Sequence, residues 1–245
     1  KMGGYGIIRV VVTMFPGITQ DYSWLLALFA TISILYGAVV TLRQTDMKRL
    51  IAFSSVSHMG FVLLGISSVG AATGLVNSIG LTGASMQMFT HGTITGLLFL
   101  LVGLIHEKAH TRHIPDLSGL ASRMPIIATA LLLAGLASLG LPGLSGFVAE
   151  ILVFLGTFPV WGWATALGAF GIVLTAGYIL WMIQRTLFGP MRERFESTKD
   201  ATIFEAVPII VLTISIVAVG LCPSLLTKVF DDALIPLVTT RFGLL

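Results

Sequence analysis

The feature that most constrains the fold of this chain is a series of long apolar stretches that carry almost no charge. Hydrophobic residues make up 56% of its 245 residues and charged residues only 10%, whereas a soluble domain carries roughly 25% charged residues. A helix needs about 20 apolar residues to cross a bilayer. The sequence is therefore predicted to fold as an all-α, polytopic transmembrane helix bundle. Cys222 is the only cysteine, so an internal disulfide is excluded.

The apolar pattern predicts about seven membrane spans. The first, residues 1–13, has the length of a truncated helix, and the fifth, residues 125–158, is too long for one crossing. The remaining spans are predicted at residues 24–42, 48–67, 81–105, 163–186 and 205–226. Residues 1–228 thus form a predicted transmembrane domain, and residues 229–245 a C-terminal tail at the membrane interface.

Loop charges predict the orientation of the bundle. One end of the bundle carries mainly Lys228 and Arg241, with Arg9 near its edge. Most basic residues fall at the opposite end: Arg43, Lys48, Arg49, Lys108, Arg112, Arg123, Arg185, Arg192, Arg194 and Lys199. Because positive loops stay cytoplasmic, that side is expected to face the cytoplasm of a prokaryotic plasma membrane. In an organelle it would face the matrix or stroma, and in either case the C-terminus lies on the far side.

The long fifth stretch contains the sequence GLPGLSG at residues 140–146, which cannot remain a regular helix. Transporters use such interrupted helices at ion sites, so a discontinuous helix is predicted. A helical hairpin that turns inside the membrane and a simple proline kink are the alternatives.

Glu150 follows this break and is flanked by apolar residues on both sides. Ionisable residues inside a membrane are costly and are functional candidates for that reason. The N-terminal end of the second half-helix, capped by Ser145 or Gly146, would favour a carboxylate, while burial opposes the charge. These opposed influences suit a group that gains and loses protons. The alternative is a carboxyl group that only hydrogen-bonds a neighbouring helix.

His58 and His91 are the other polar groups inside predicted spans. Ser54 precedes His58 by four residues on the same helix face, and Gln87 and Thr95 flank His91 at the same spacing. Histidine titrates near neutral pH and can carry protons in both directions. With the buried carboxyl group, the two stripes predict a proton relay, although each histidine alone fits a core residue that joins two helices.

Two lysines are further candidates. Lys1 is a buried cation if an apolar span precedes it, and an interfacial lysine otherwise. Lys48 lies ten residues before His58, about 15 Å along the helix, and would begin a polar ladder toward the imidazole. It also fits a charge at a helix end that only sets topology.

Residues 106–110, HEKAH, match the zinc-hydrolase pattern H-E-x-x-H, with His113 and Asp116 as further possible ligands. The motif falls among basic loop residues, so a solvated loop is the favoured interpretation and an intramembrane zinc peptidase the minor alternative. The sequence contains no phosphate-binding glycine loop and no cysteine set for an iron–sulfur cluster. No cofactor or metal is therefore expected on this chain, and no nucleic acid as a partner.

Four sequence strings resemble one known family. Residues 42–61 (LRQTDMKRLIAFSSVSHMGF), 87–92 (QMFTHG), 141–150 (LPGLSGFVAE) and 1–6 (KMGGYG) are similar to the antiporter-like membrane chains of respiratory complex I, NADH-quinone oxidoreductase, and in particular to its M-type chains. The resemblance implies fourteen helices in two inverted five-helix repeats, each with one broken helix. This chain would be helices eight to fourteen and would contain the second repeat.

The resemblance also implies roles for the candidate residues. Lys1 would be the central lysine of a proton relay that continues through His58 and His91 to Glu150, while Lys48 serves topology or proton uptake. The chain would translocate protons as a subunit of a complex I-type enzyme, beside other antiporter-like chains in the lipid bilayer. NADH, FMN, iron–sulfur clusters and quinone would bind partner subunits, where the redox chemistry takes place.

Two shorter strings, DMKRL at residues 46–50 and SHMGF at residues 57–61, also fit, less closely, subunits of multisubunit cation/proton antiporters and of membrane-bound hydrogenases. A purely structural membrane scaffold is a further alternative. In that case, changes at His91 and Glu150 alter stability and leave pumping per electron unchanged.

Overall fold

The computed structural model describes residues 1–70 and 78–242, with side chains up to residue 240. These ranges form ten α-helices and four short 3₁₀ helices and contain no strand, which confirms the predicted all-α fold. The helices are α1 (Met2–Val12, π-helical over Ile7–Val12), α2 (Pro16–Asp21), α3 (Ser23–Leu42), α4 (Met47–Ile66), α5 (Ser78–Ala109), α6 (Pro125–Ser138), α7 (Ser145–Thr157), α8 (Gly162–Leu187), α9 (Ile203–Leu221) and α10 (Ser224–Phe242).

Five of the described helices are long and apolar enough to cross a membrane without interruption: α3, α4 with its 3₁₀ extension to Val69, α5, α8 and α9. Helices α6 and α7 are each too short to do so and follow one another across the glycine-rich segment. Together they form the discontinuous span that the sequence predicts. Helix α1, the counterpart of the first predicted span, is also short.

Recognisable caps fix several helix ends. The Asp46 carboxylate accepts a hydrogen bond from the Arg49 N–H and caps α4, as expected of aspartate at this position. Pro125 occupies the first turn of α6, where proline costs no hydrogen bond. Thr202 and Glu205 form a reciprocal capping box at the start of α9.

The candidate site residues lie where α4, α5, α6 and α7 meet. Helices α5 and α7 touch at Gly83, where a Cβ atom would collide with the backbone of Leu152 and Val153. Glycine therefore permits this approach, as small residues do generally between membrane helices. One apolar core cluster connects α3, α4, α5, α6, α8 and α9, and its members Ile94 and Ala137 lie beside the polar residues described below.

The loops that carry most basic residues gather at one end of the bundle. Arg112, after α5, forms an ion pair of 2.7 Å with Asp46 before α4. Ser118, in the same loop, donates a hydrogen bond to the carbonyl of Pro190 after α8. The predicted grouping of these loops is thus present in the structure, whereas the compartment that they face stays a prediction.

The C-terminal segment forms helix α10 and packs against the bundle. Leu234 and Val238 are buried in one apolar cluster with Ile8 and Val12 of α1, and Asp231 accepts a hydrogen bond of 2.6 Å from Thr82 of α5. The boundary predicted near residue 228 therefore falls inside a helix. The position of this helix relative to the bilayer stays a prediction, and residues 243–245 lie outside the described residues.

Candidate functional site

The discontinuous span creates the setting of the site. Helix α6 ends in a Schellman motif, in which the Leu141 N–H donates to the Leu136 carbonyl and the Gly140 N–H to the Ala137 carbonyl. Gly140 adopts φ 78° and Gly143 φ 93°, a left-handed conformation that costs other residues about 1–2 kcal/mol. The chain then enters α7, which packs mainly against α5 rather than back along α6. A hairpin does not describe this packing, and a simple kink does not describe a non-helical linker between two separate helices.

The start of α7 differs from the expectation. Leu144 is the N-cap residue and no side chain caps this end, so the predicted cap by Ser145 or Gly146 is wrong. Ser145 is the first helical residue, and its buried hydroxyl has no hydrogen-bond partner among the described residues. The reason is a register one residue earlier than expected, which moves the serine from the cap position into the helix.

Glu150 and His58 meet below this break. Glu150, in the second turn of α7, is buried, and its Oε1 lies 4.0 Å from Nδ1 of the equally buried His58 on α4. The other ring nitrogen of His58, Nε2, lies 3.2 Å from the Ser138 hydroxyl at the end of α6. The two halves of the broken helix therefore hold one imidazole from both sides, with a hydroxyl from the first half and a carboxyl group from the second.

His91 on α5 completes the cluster. Its ring centroid lies 5.4 Å from that of His58, and neither of its ring nitrogens has a hydrogen-bond partner among the described residues. Gln87 Oε1 and the Thr90 hydroxyl are buried and unpaired in the same way. These three residues, with His58, Ser138 and Glu150, line a cavity of about 10 Å³. This is close to the smallest volume that holds one water molecule.

A polar cavity of this kind can connect the titratable groups. The 4.0 Å between His58 and Glu150 is too long for a direct hydrogen bond and suits a bridging water. Carboxyl and imidazole groups exchange protons directly or through one water. In the expected proton relay, His91 was the neighbour of Glu150. In the structure, the carboxyl group of Glu150 instead lies 4.0 Å from the ring of His58.

The two lysines occupy different positions. Lys1 lies beside the cluster, because its Cε is 3.8 Å from the point that a Cβ of Gly92 would occupy, next to His91. Its side chain is exposed in this chain. Lys48 is exposed in the first turn of α4, at the basic end. Between Lys48 and His58, the Ser54 hydroxyl donates its hydrogen bond to the Ile51 carbonyl of its own helix and not to another member of the predicted polar ladder.

The H-E-x-x-H motif does not form a helical pair of histidines. Helix α5 ends at Ala109, and His110 follows with φ 52°. His113 faces Asp116 at 3.2 Å in the loop beyond. In the described part of the chain, no group of three or more His, Cys, Asp or Glu side chains is placed to hold a metal ion. Because the helix ends before the second histidine, the i, i+4 spacing does not place the two imidazoles on one helix face, as a zinc site of this type requires.

Ser138 and Thr90 are the site residues that sequence reasoning missed. Serine and threonine are frequent in membrane helices, where they often bond to their own backbone, so residue type alone does not single them out. The position of Ser138 could have indicated its role, because it lies two residues before the glycine that ends α6. Thr90 directly precedes His91.

Comparisons with known proteins agree with this architecture. Residues 1–175 match the family described as NADH:quinone oxidoreductase/Mrp antiporter, TM. The chain is 42% identical to F(420)H(2) dehydrogenase subunit M of Methanosarcina mazei, over 91% of this chain and 44% of that protein. It is 39% identical to NADH-quinone oxidoreductase subunit M of Rhodobacter capsulatus, over 97% of this chain and 45% of that protein.

The fold has a close counterpart among solved structures. A chain of respiratory complex I from Thermus thermophilus, with bound NADH, superimposes with a TM-score of 0.87 at 31% identity. The superposition covers 99% of this chain and 49% of that chain. The chain thus spans about half the length of the proteins that it matches.

Proposed function

Because the chain belongs to the family of NADH:quinone oxidoreductase and Mrp antiporter membrane subunits, we propose that it carries protons through the membrane arm of a redox-driven complex. The observation that supports this function is the buried cluster at the broken helix. Three titratable groups from three helices surround one small polar cavity in an apolar bundle. Buried ionisable groups are too costly in a membrane to be retained without a role.

In the proposed path, a proton moves between Glu150 and His58 and on to His91. His58 is the central member, since it contacts the carboxyl group on one side and the second imidazole on the other. Ser138 holds Nε2, which leaves Nδ1 facing Glu150. Lys1, beside Gly92, would extend the path along the midplane, and Lys48, at the basic end, would serve proton uptake or topology.

The test is Glu150→Gln in the full-length protein within its assembled complex. Glutamine keeps the size of the side chain and its hydrogen-bonding capacity but carries no titratable proton. We expect assembly to be preserved and the number of protons moved per electron to fall, measured in membrane vesicles with a pH-sensitive dye. Unchanged pumping by a well-assembled complex would remove Glu150 from the path.

The partners in this proposal are other membrane subunits, in particular neighbouring antiporter-like chains, and subunits that carry the redox cofactors. This chain has one cysteine, whereas an iron–sulfur cluster takes four ligands, usually cysteines. Iron–sulfur clusters are therefore assigned to partners, and the resemblance to complex I chains assigns NADH, FMN and quinone to partners as well. The electron donor stays open, because the identity to an F(420)H(2)-dependent relative is as high as that to an NADH-dependent one.

A cation/proton antiporter subunit without redox partners is the second candidate, since the matched family includes Mrp antiporters. The two functions differ in what drives transport. Proton movement that requires electron transfer supports the redox-driven complex. Proton movement driven by a sodium gradient, without electron transfer, supports the antiporter.

A further inference from the structure

A second concave site lies at the basic end of the bundle, far along the helices from the proton cluster. It is a cavity of about 370 Å³ between the loop after α5 and the end of α8. The loop contributes Ile114, Leu117 and Ser118, and the end of α8 with its following turn contributes Gln184, Arg185, Phe188 and Arg192. Among the residues that the structure describes, two arginines and no acidic residue line this cavity.

Both arginines are available to an anion. Neither has a carboxylate oxygen within 4.0 Å in the described part of the chain. Arg185 lies over the indole of Trp181, with its guanidinium carbon 5.3 Å from the ring centroid, which orients the group without neutralising it. Arg192 is positioned by a hydrogen bond of 2.7 Å from Nη2 to the Pro115 carbonyl, which uses only one of its five N–H donors.

The cavity continues into an apolar strip on α8. Val173 and Leu180 are exposed and lie seven residues apart, and Gln184 follows on the same helix face. This face leads from the middle of the span directly to the cavity, where Phe188 is 52% exposed. Trp181 lies near the helix end, where aromatic residues mark the membrane interface. The two arginines at the membrane interface thus lie next to an exposed apolar surface of α8 that suits acyl chains.

From this arrangement we infer that the cavity binds one anionic phospholipid. The phosphate group pairs with Arg185 and Arg192. The side-chain amide of Gln184 is available to the headgroup, and the acyl chains lie along Val173 and Leu180. Guanidinium groups suit phosphate because they donate two parallel hydrogen bonds, and basic pockets between membrane helices are known lipid sites. The inference does not depend on proton conduction by this chain.

The experiment compares lipid retention by the purified complex that contains the full-length protein. Delipidated wild type and the double variant Arg185→Gln, Arg192→Gln are titrated with phosphatidylglycerol, and bound lipid is counted by native mass spectrometry. We expect the variant to bind about 30-fold more weakly than wild type. Arg43→Gln is the matched control, since this arginine is exposed at the same end outside the cavity, and it should bind like wild type.

Two further arms test what the cavity recognises. Arg185→Lys with Arg192→Lys keeps both charges but loses the paired hydrogen bonds, so it should bind more tightly than the glutamine variant and more weakly than wild type. Binding as weak as that of the glutamine variant would overturn the inference. Glycerol phosphate provides the headgroup chemistry without acyl chains. If it displaces the lipid at equal concentration, the site recognises a soluble phosphate and the lipid assignment is wrong. Equal retention by wild type and the glutamine variant would also overturn it.

Discussion

Ser138 is the residue through which the first half of the broken helix reaches the buried cluster of His58, His91 and Glu150. Its hydroxyl lies 3.2 Å from His58 Nε2 in a buried setting. We expect Ser138→Ala to release the ring and to slow proton transfer about two- to tenfold, the change in a rate or equilibrium constant that corresponds to the free energy of one hydrogen bond, so that fewer protons move per electron. The measurement is dye-monitored pumping against electron transfer as a function of pH.

A threonine at the same position separates orientation from packing. Ser138→Thr keeps the hydroxyl and should restore the pH profile of pumping, even if the added methyl group reduces the amount of complex. A purely structural role for Ser138 predicts a different result, namely fewer assembled complexes with an unchanged pH profile in the alanine variant.

Gly140 leaves room for the carboxyl group of Glu150, because it has no side chain at the point that the carboxyl group approaches. It has φ 78°, and a Cβ atom there would overlap Glu150 Oε2. We expect Gly140→Ala to cost about 1–2 kcal/mol of stability through the backbone and in addition to displace the carboxyl group. Pumping per electron should therefore fall in the assembled complex.

Gly143 provides the matched control for this prediction. It also has a positive φ, of 93°, but a Cβ atom there meets nothing within 4 Å. Gly143→Ala should thus show a similar loss of thermal stability with normal pumping per electron. Equal pumping by the two variants would show that the overlap with Glu150 does not matter.

The site could be predicted from sequence only where chemistry was conspicuous. His58, His91 and Glu150 were identifiable because an ionisable group is costly in an apolar span and is rare there without a function. The order of the groups was not predictable, because it depends on how α4, α5 and α7 rotate about their axes in the bundle. Contacts such as that between Ser138 and His58 come from residues 80 positions apart and leave no local signal.

At the scale of elements, the broken helix was the most predictable feature. Gly140 and Gly143 both adopt backbone conformations that disfavour other residues, and proline between them cannot continue a helix. The boundaries were less predictable. Helix α5 extends to Ala109, beyond the apolar stretch that defines the span, because a helix can continue into water with polar residues.

The start of α4 is the element end whose stability should depend on pH. Partial burial acts to raise the pKa of Asp46, but hydrogen bonds from the Arg49 N–H and from Arg112, with the charge of Arg112, lower this pKa below its ordinary value. A group with a lowered folded pKa contributes stability above its unfolded pKa, near 3.9, and loses it as the pH falls through the folded value. We expect Asp46→Ala to cost about 1 kcal/mol at pH 7, measured by thermal unfolding in detergent.

Asparagine at this position tests the origin of the effect. Asp46→Asn keeps a capping oxygen but carries no charge, so most of the capping should survive while the ion pair with Arg112 is lost. The difference in unfolding temperature between wild type and Asp46→Asn should shrink as the pH falls below about 4. A constant difference down to acidic pH would show that the carboxylate charge contributes nothing.

At the scale of the whole molecule, composition and loop charge predicted the helical class and the gathering of basic loops at one end. They did so because the bilayer imposes the same requirements on each segment separately, namely internally paired backbone groups in each span and a charge bias in each loop. The packing of α10 was not predictable in this way, since it depends on a complementary surface formed by α1 and α5. The side of the membrane toward which the basic end points is a property of the whole chain and needs its own test.

Cys222 offers that test, because it is the only cysteine, is exposed, and follows α9 at the end opposite the basic loops. If positive loops remain in the cytoplasm, an impermeant maleimide should label Cys222 in right-side-out vesicles and leave it unlabelled in inside-out vesicles. Arg123→Cys in a Cys222→Ser background places the thiol in an exposed position of a basic loop and should show the opposite pattern. Labelling of both cysteines from the same side would contradict the three membrane crossings, by α6 with α7, by α8 and by α9, that separate the two positions. Exchange of the two patterns would reverse the predicted orientation.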